Sequence, residues 1–380
     1  MTRFNQLASY TLIFLVLLNI PSIALEVISA NIGSKMSYFT FMLAGYLIIT
    51  NKLSFSGMLY YLVLIVSIYF IIGAFQYYGE FSEFVIIYIK FLLYSFGLSV
   101  AFNNINHNSI ILFLLLGAFT IVLDSLFFRF NDTQGIGYVS EYGRYSGFYL
   151  NPNTAAFVCL LGYALAINKL NKFKYSAILF TFIGFLTLSR TFMISWIIIT
   201  IIFIIFNKKR INSLFITGIT GIVILFSLSD VLKLDIERFE FLRGLFLGKF
   251  DSQFFSDGSR QNQWSKFYNL IYDSPFIGNG FKSFYSSSVD INAQGVHNTF
   301  LLFFGESGFL PFVLLILLFI LLFKKSFALI KYDFTLLALT IVLSIKFLVS
   351  HNFVDSGLTI FCFVYIIYSI YIIQKHNLKL

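Results

Sequence analysis

Apolar runs of about twenty residues, the length a helix needs to cross roughly 30 Å of hydrocarbon, follow one another along almost the whole chain. They lie near 8–29, 37–51, 57–77, 84–102, 109–128, 153–168, 174–189, 191–206, 211–229, 298–323, 334–350 and 356–373. Only 11% of the residues are charged, against about 25% in a soluble domain. So few charges cannot cover a water-facing surface, which excludes a soluble enzyme, a nucleic-acid module and a disordered tail. The expected fold class is an all-α polytopic membrane protein of about twelve transmembrane helices, forming one integral-membrane domain over 1–380. The first run is read as a retained span: it is too long for a signal-peptide core, and no small-residue cleavage site follows it cleanly.

Charge position then gives orientation. Lys169, Lys172 and Lys174 precede the continuous apolar stretch 174–206, and Lys208, Lys209 and Arg210 follow it. Basic loops stay cytoplasmic, so the stretch crosses an even number of times and turns at its one polar break, Ser189-Arg190. With both termini cytoplasmic, Arg3, Lys52, Lys324, Lys325, Lys331, Lys375 and Lys379 also fall inside, while short outer connections hold only Lys35, Arg129, Arg144 and Arg190. The net charge of +9 is therefore mostly topology. Lys90 and Lys346 lie in spans near their outer ends, where the side chains are expected to snorkel to the headgroups. Cys159 and Cys362 sit in apolar stretches as small hydrophobes.

Two outer segments are long, 129–152 and 230–297, and the second has the composition of a soluble protein. Ile236, Phe239, Leu242, Phe246 and Phe250 recur at helical spacing, predicting an amphipathic helix on the membrane. A second helix is expected from a cap at Asp257 or Ser259 to Tyr272, with Trp264, Phe267 and Ile271 on one face. Ser274-Pro275 ends it, and Gly278-Asn279-Gly280 marks a turn.

No phosphate-binding loop, HExxH or Asp-x-Asp pair is present, so neither a metal nor another cofactor is expected. The outer segments instead carry Arg144, Arg190 and Arg260, together with His297-Asn298 where the long loop meets the next span. Guanidinium groups grip phosphate oxygens with two parallel bonds, and imidazole serves as a general base near neutral pH. Each has a plainer reading, Arg144 as a headgroup anchor and His297 as a loop histidine. Arg190, at the tip of an apolar hairpin, is costly unless paired or wet. His351-Asn352 repeats the His-Asn pair and is a secondary candidate, while His107 and His376 are given no role. Glu306, flanked by Gly305 and Gly308 within the run 298–323, has a plain structural reading beside a functional one, in which close helix packing turns it toward an aqueous cavity.

Taken in order, Arg144…Gly147…Asn151-Pro152-Asn153, Leu188-Ser189-Arg190-Thr191, and Arg260…Trp264…Pro275…Gly278-Asn279-Gly280…His297-Asn298-Thr299…Glu306-Ser307-Gly308 resemble the O-antigen polymerase and O-antigen ligase superfamily. The resemblance covers about 140–310. It implies a GT-C-like helical bundle in the bacterial inner membrane, capped by the 230–297 loop, acting on undecaprenyl-diphosphate-linked oligosaccharide. It also implies catalytic roles for His297, Arg190 and Arg260, and substrate binding by Arg144, Asn151, Asn153, Asn298 and Glu306. The expected partners are that lipid-linked sugar, membrane lipid and a chain-length-regulating protein, with no nucleic acid. Polymerase is favoured over ligase. A flippase or transporter is the reading from another class, but no repeated halves or matching broken spans support it.

Overall fold

A computed structural model describes residues 3–51, 55–77, 79–128, 144–167, 170–206, 260–285 and 295–377. Among them every regular element is helical. In chain order these are α1 (Arg3–Leu17), α2 (Ile20–Ile23), α3 (Ala30–Thr50), α4 (Gly57–Ala74), α5 (Phe81–Ala101), α6 (His107–Leu123), α7 (Pro152–Ile167), α8 (Leu170–Leu186) and α9 (Arg190–Phe206). Then follow α10 (Arg260–Asp273), α11 (Thr299–Ser307), α12 (Phe309–Ala328), α13 (Phe334–Val349) and α14 (Gly357–Asn377). Among the described residues six helices are long and apolar enough to cross a membrane, and a bent pair near the N-terminus makes a seventh if it is one span. Four shorter apolar helices lie at 152–167, 175–186, 190–206 and 334–349. The expected run 211–229, the amphipathic helix over 236–250, the caps at 257 and 259, and residues 129–143 lie outside the described residues.

The helices fall into two compact units. In the first, formed by 1–47, 101–250 and 330–342, α7 is enclosed by α6, α8 and α9. It is apolar all round because it is buried all round: Pro152 and every residue from Ala155 to Ile167 is buried. Gly162 permits this, since a Cβ there would lie 2.2 Å from the Phe180 ring. The expected hairpin is present, with α8 ending at Leu186 and α9 starting at Arg190. Trp196 ties its arms together, donating to Thr181 Oγ1 at 3.0 Å.

In the second unit, formed by 48–100, 251–329 and 343–380, α4 packs on α11, α12 and α14, and α10 packs on α11. The expected face of α10 is the buried one: Phe267 and Ile271 join Phe284, Val296 and Leu302 in a core cluster, with Trp264 packed against it. Phe347 contributes to an aromatic cluster, its ring centroid 4.9 Å from that of Phe319 and 4.8 Å from that of Phe353.

Three expectations change. The run 8–29 is bent by 57°, with Asn19 in the left-handed region at φ 55° and Pro21 in the first turn of the next helix. The run 298–323 breaks at Gly308, so Glu306 belongs to the short helix α11 and not to the span α12. Gly308 has φ 78°, and a Cβ there would stand 2.1 Å from the Phe276 carbonyl oxygen. Lys346 is buried at 7% exposure, where snorkelling calls for an exposed ammonium; Lys90 is half-buried.

Gly308→Ala combines that overlap with a backbone conformation that L-residues avoid, a penalty of at least about 1–3 kcal/mol. The variant is expected to lose thermal stability in detergent, read by the melting of its size-exclusion peak; an unchanged melting temperature would contradict this account of the break.

Candidate functional site

In the first unit the segment 144–153 is built around a carboxylate that sequence reasoning missed. Asp124, fully buried at the end of α6, accepts the backbone N–H groups of Ser146 at 3.0 Å and Gly147 at 2.9 Å. Thr120 Oγ1 takes the N–H of Phe148 at 3.1 Å, and the Tyr149 hydroxyl donates to the Leu17 carbonyl at 3.0 Å. Only glycine fits at 147, where φ is 53° and a Cβ would lie 2.4 Å from Thr120 Oγ1. The chain then passes through Leu150 at φ 58° and starts α7 with Asn151 as cap and Pro152 in the first turn. Asn151 Oδ1 accepts the N–H of Asn153 at 2.8 Å.

Arg144 is a buried cross-link, not a headgroup anchor. At 7% exposure it donates from Nε to the Thr187 carbonyl at 3.3 Å and from Nη2 to Asn153 Oδ1 at 3.1 Å. Ser189 Oγ reaches the same Asn153 oxygen at 3.3 Å. Arg144, Asn151, Asn153 and the tip of the α8–α9 hairpin are thus one connected group. Leu188 turns the tip at φ 44°, and half-buried Arg190 is the first residue of α9.

The second unit holds the other candidates. Arg260 opens α10, as expected. The turn after α10 docks on α11 through its backbone: Asn279 N–H donates to Gly305 O at 2.8 Å, and Gly280 N–H to Glu306 O at 3.0 Å. Gly278, at φ 77°, comes so close that a Cβ would lie 2.4 Å from the Glu306 carbonyl carbon. Glu306 is fully buried, not facing water; its carboxylate accepts the Tyr69 hydroxyl and the Phe284 N–H, the latter at 3.2 Å. Tyr69, also missed from sequence, stacks on Phe303 at 4.2 Å. The two motifs 275–280 and 305–308 are therefore one structure.

His297 stands at the start of α11 with φ 47°. Asn298 is the helix cap, its Oδ1 accepting from Phe300 N at 3.0 Å and Leu301 N at 3.1 Å. The secondary candidate His351 meets His297 directly: the rings lie 4.7 Å apart, and His297 N–H donates to His351 Nδ1 at 3.3 Å. Tyr285 packs edge-on against His351 at 4.9 Å and points its hydroxyl at Asp355 Oδ2 from 3.5 Å. Burial and the neighbouring Asp355 carboxylate push that hydroxyl up, keeping it protonated.

Glu306→Ala strips acceptors from two buried donors and is expected to cost about 1–3 kcal/mol for each donor left unsatisfied. Glu306→Gln keeps an acceptor and is expected to lose less. Folded yield and melting temperature in detergent check the order; equal losses would exclude the hydrogen-bond role of the carboxylate.

Residues 175–316 match the family model described as O-antigen ligase. No curated protein matches the chain. Family members are membrane glycosyltransferase-like enzymes, polymerases or ligases. The α8–α9 hairpin from residue 175 onward, α10, the glycine turn and the His297–Glu306 segment lie within the matched residues, and this stretch is similar to that family.

Proposed function

We propose that this protein is a surface-polysaccharide polymerase that joins undecaprenyl-diphosphate-linked repeat units on the periplasmic face of the bacterial inner membrane. The observation that carries the reading is the O-antigen ligase match over 175–316, which contains Arg190, Arg260 and His297. Twelve spans, cytoplasmic termini and periplasmic segments at 129–152 and 230–297 belong to the same proposal.

Chemistry on that face has no nucleotide sugar to draw on, so the donor carries its own leaving group. An acceptor-sugar hydroxyl attacks the anomeric carbon of the donor. The new C–O bond forms as the bond to the lipid diphosphate breaks, the hydroxyl proton passes to His297, and the diphosphate departs with its electron pair. Arg190 and Arg260 stabilise the charge on the leaving group without calling on a metal, and the positive dipole end of α9, which starts at Arg190, favours the same anion. Arg144, Asn151 and Asn153 hold the hairpin and the donor side; Asn298 and Glu306 serve the acceptor side through the backbone they fix.

Ligation to lipid A-core is the second reading, favoured by the description of the matched family itself. A deletion strain separates the two. Single repeats retained on core identify a polymerase; core without repeats, with lipid-linked polymer accumulating, identifies a ligase. Arg190→Lys keeps the charge but loses the fork, and is expected to slow transfer by about 10²–10³-fold; normal polymer from it would refute the clamp. His297→Ala is expected to lose about 10²–10⁴-fold while still reaching the membrane. A cysteine at position 260 is expected to label from outside intact spheroplasts, and labelling only after lysis would invert the topology.

A further inference from the structure

His297 occupies a backbone conformation that a non-glycine residue holds at a cost of about 1–3 kcal/mol, and its surroundings show what holds it there. In the left-handed region its N–H points away from α11 and into the connection between α13 and α14. His351 Nδ1 receives that N–H at 3.3 Å. The neutral imidazole that accepts at Nδ1 carries its proton at Nε2, so the bond also selects the His351 tautomer.

The His351 ring is fixed from several sides. Tyr285 packs edge-on against it at 4.9 Å. Gly295 leaves it room, because a Cβ there would stand 2.9 Å from His351 Cε1 and 3.0 Å from Nε2. Thr299 Oγ1 donates to the Ser350 carbonyl at 2.6 Å, tying the first residue of α11 to the residue before His351. Val296 N–H donates to the Phe284 carbonyl at 3.2 Å, fixing the other side of His297. All of these residues belong to the second unit.

We propose that His351 is a positioning residue for the reaction: it takes the backbone N–H of His297 and thereby holds the His297 imidazole in the direction proton transfer requires. The proposal rests on the reading of His297 as the base. Without the acceptor at 351, the backbone of His297 relaxes toward negative φ and swings its ring out of line. A displacement of about 1 Å at a reacting group is enough to cost 10²-fold.

Replacement chemistry provides the test. Asparagine can place Oδ1 where histidine has Nδ1, whereas glutamine carries its polar atoms one carbon further out, near Nε2. Initial rates of glycan extension are measured in proteoliposomes with lipid-linked repeat units. His351→Ala is expected to drop kcat by about 10–100-fold with KM little changed. His351→Asn is expected to recover most of the rate, and His351→Gln to stay near the alanine level. His297→Ala/His351→Ala is expected to be no slower than His297→Ala alone. Equal rates for the asparagine and glutamine variants, at any level, would overturn the proposal, as would a wild-type rate for His351→Ala. Wild-type activity in His297→Ala would instead remove the base reading beneath it.

Discussion

Among the described residues three helices start in the same unusual way, and the motif residues depend on that start. Leu150, Leu188 and His297 have φ of 58°, 44° and 47°. Each is followed by a small polar residue, Asn151, Ser189 or Asn298, and then by the first residue of a helix, Pro152, Arg190 or Thr299. A left-handed residue just before the cap turns the chain sharply, so the cap side chain and the first helical residue emerge at a fixed angle. Non-glycine residues resist that conformation, and it persists only where surrounding contacts over-determine it. The contacts differ in each case. Arg144 clamps Thr187 beside fully buried Leu188, Asp124 gathers the N–H groups just before Leu150, and His351 takes the N–H of His297 itself.

The second constraint is backbone against backbone. The turn 275–280 rests its backbone directly on the end of α11, possible because Gly278 and Gly308 combine positive φ with no Cβ, and the Asn279 side-chain amide adds a bond to the Gly305 carbonyl at 3.0 Å. Burying Glu306 beneath that contact would be expensive for an unsatisfied carboxyl. Tyr69 and the Phe284 N–H offset the expense by filling its acceptor positions. The described residues 260–285 thereby become one body with α11. His297 precedes the opposite end of that helix, and it shares the rigidity of the body through α11 and the bond to His351.

Much of this was legible in the sequence. Basic flanks on both sides of 174–206 required a hairpin, and Ser189-Arg190 was its only polar break. Trp264, Phe267 and Ile271 announced the buried face of α10 by spacing alone. Other features are invisible to such reading. Hydropathy averaged along 298–323 gives no sign of a single residue at φ 78°, nor does 8–29 reveal the left-handed Asn19. Leucine is a poor left-handed residue, so nothing local marks Leu150 or Leu188. Asp124 sits at the end of an apolar run and resembles a span boundary; its partners lie more than twenty residues away. Lys346 resembles a snorkelling lysine until its burial is known.

The same geometry sorts the polar residues by what their atoms are already committed to. Asn298 Oδ1 is occupied by two backbone N–H groups, Asn153 Oδ1 by Arg144 and Ser189, and the Glu306 carboxylate by Tyr69 and Phe284. These oxygens build the site. An acceptor spent on its own chain cannot also orient a sugar hydroxyl without releasing a buried donor, at about 1–3 kcal/mol. In the proposed reaction, recognition of an anionic carrier falls on cationic donors, since a guanidinium offers five N–H groups in one rigid plane and internal bonds along one edge orient the whole fork. Arg144 commits Nε and Nη2 in this way, which makes it the residue that joins the architecture of the hairpin to the chemistry proposed for Arg190.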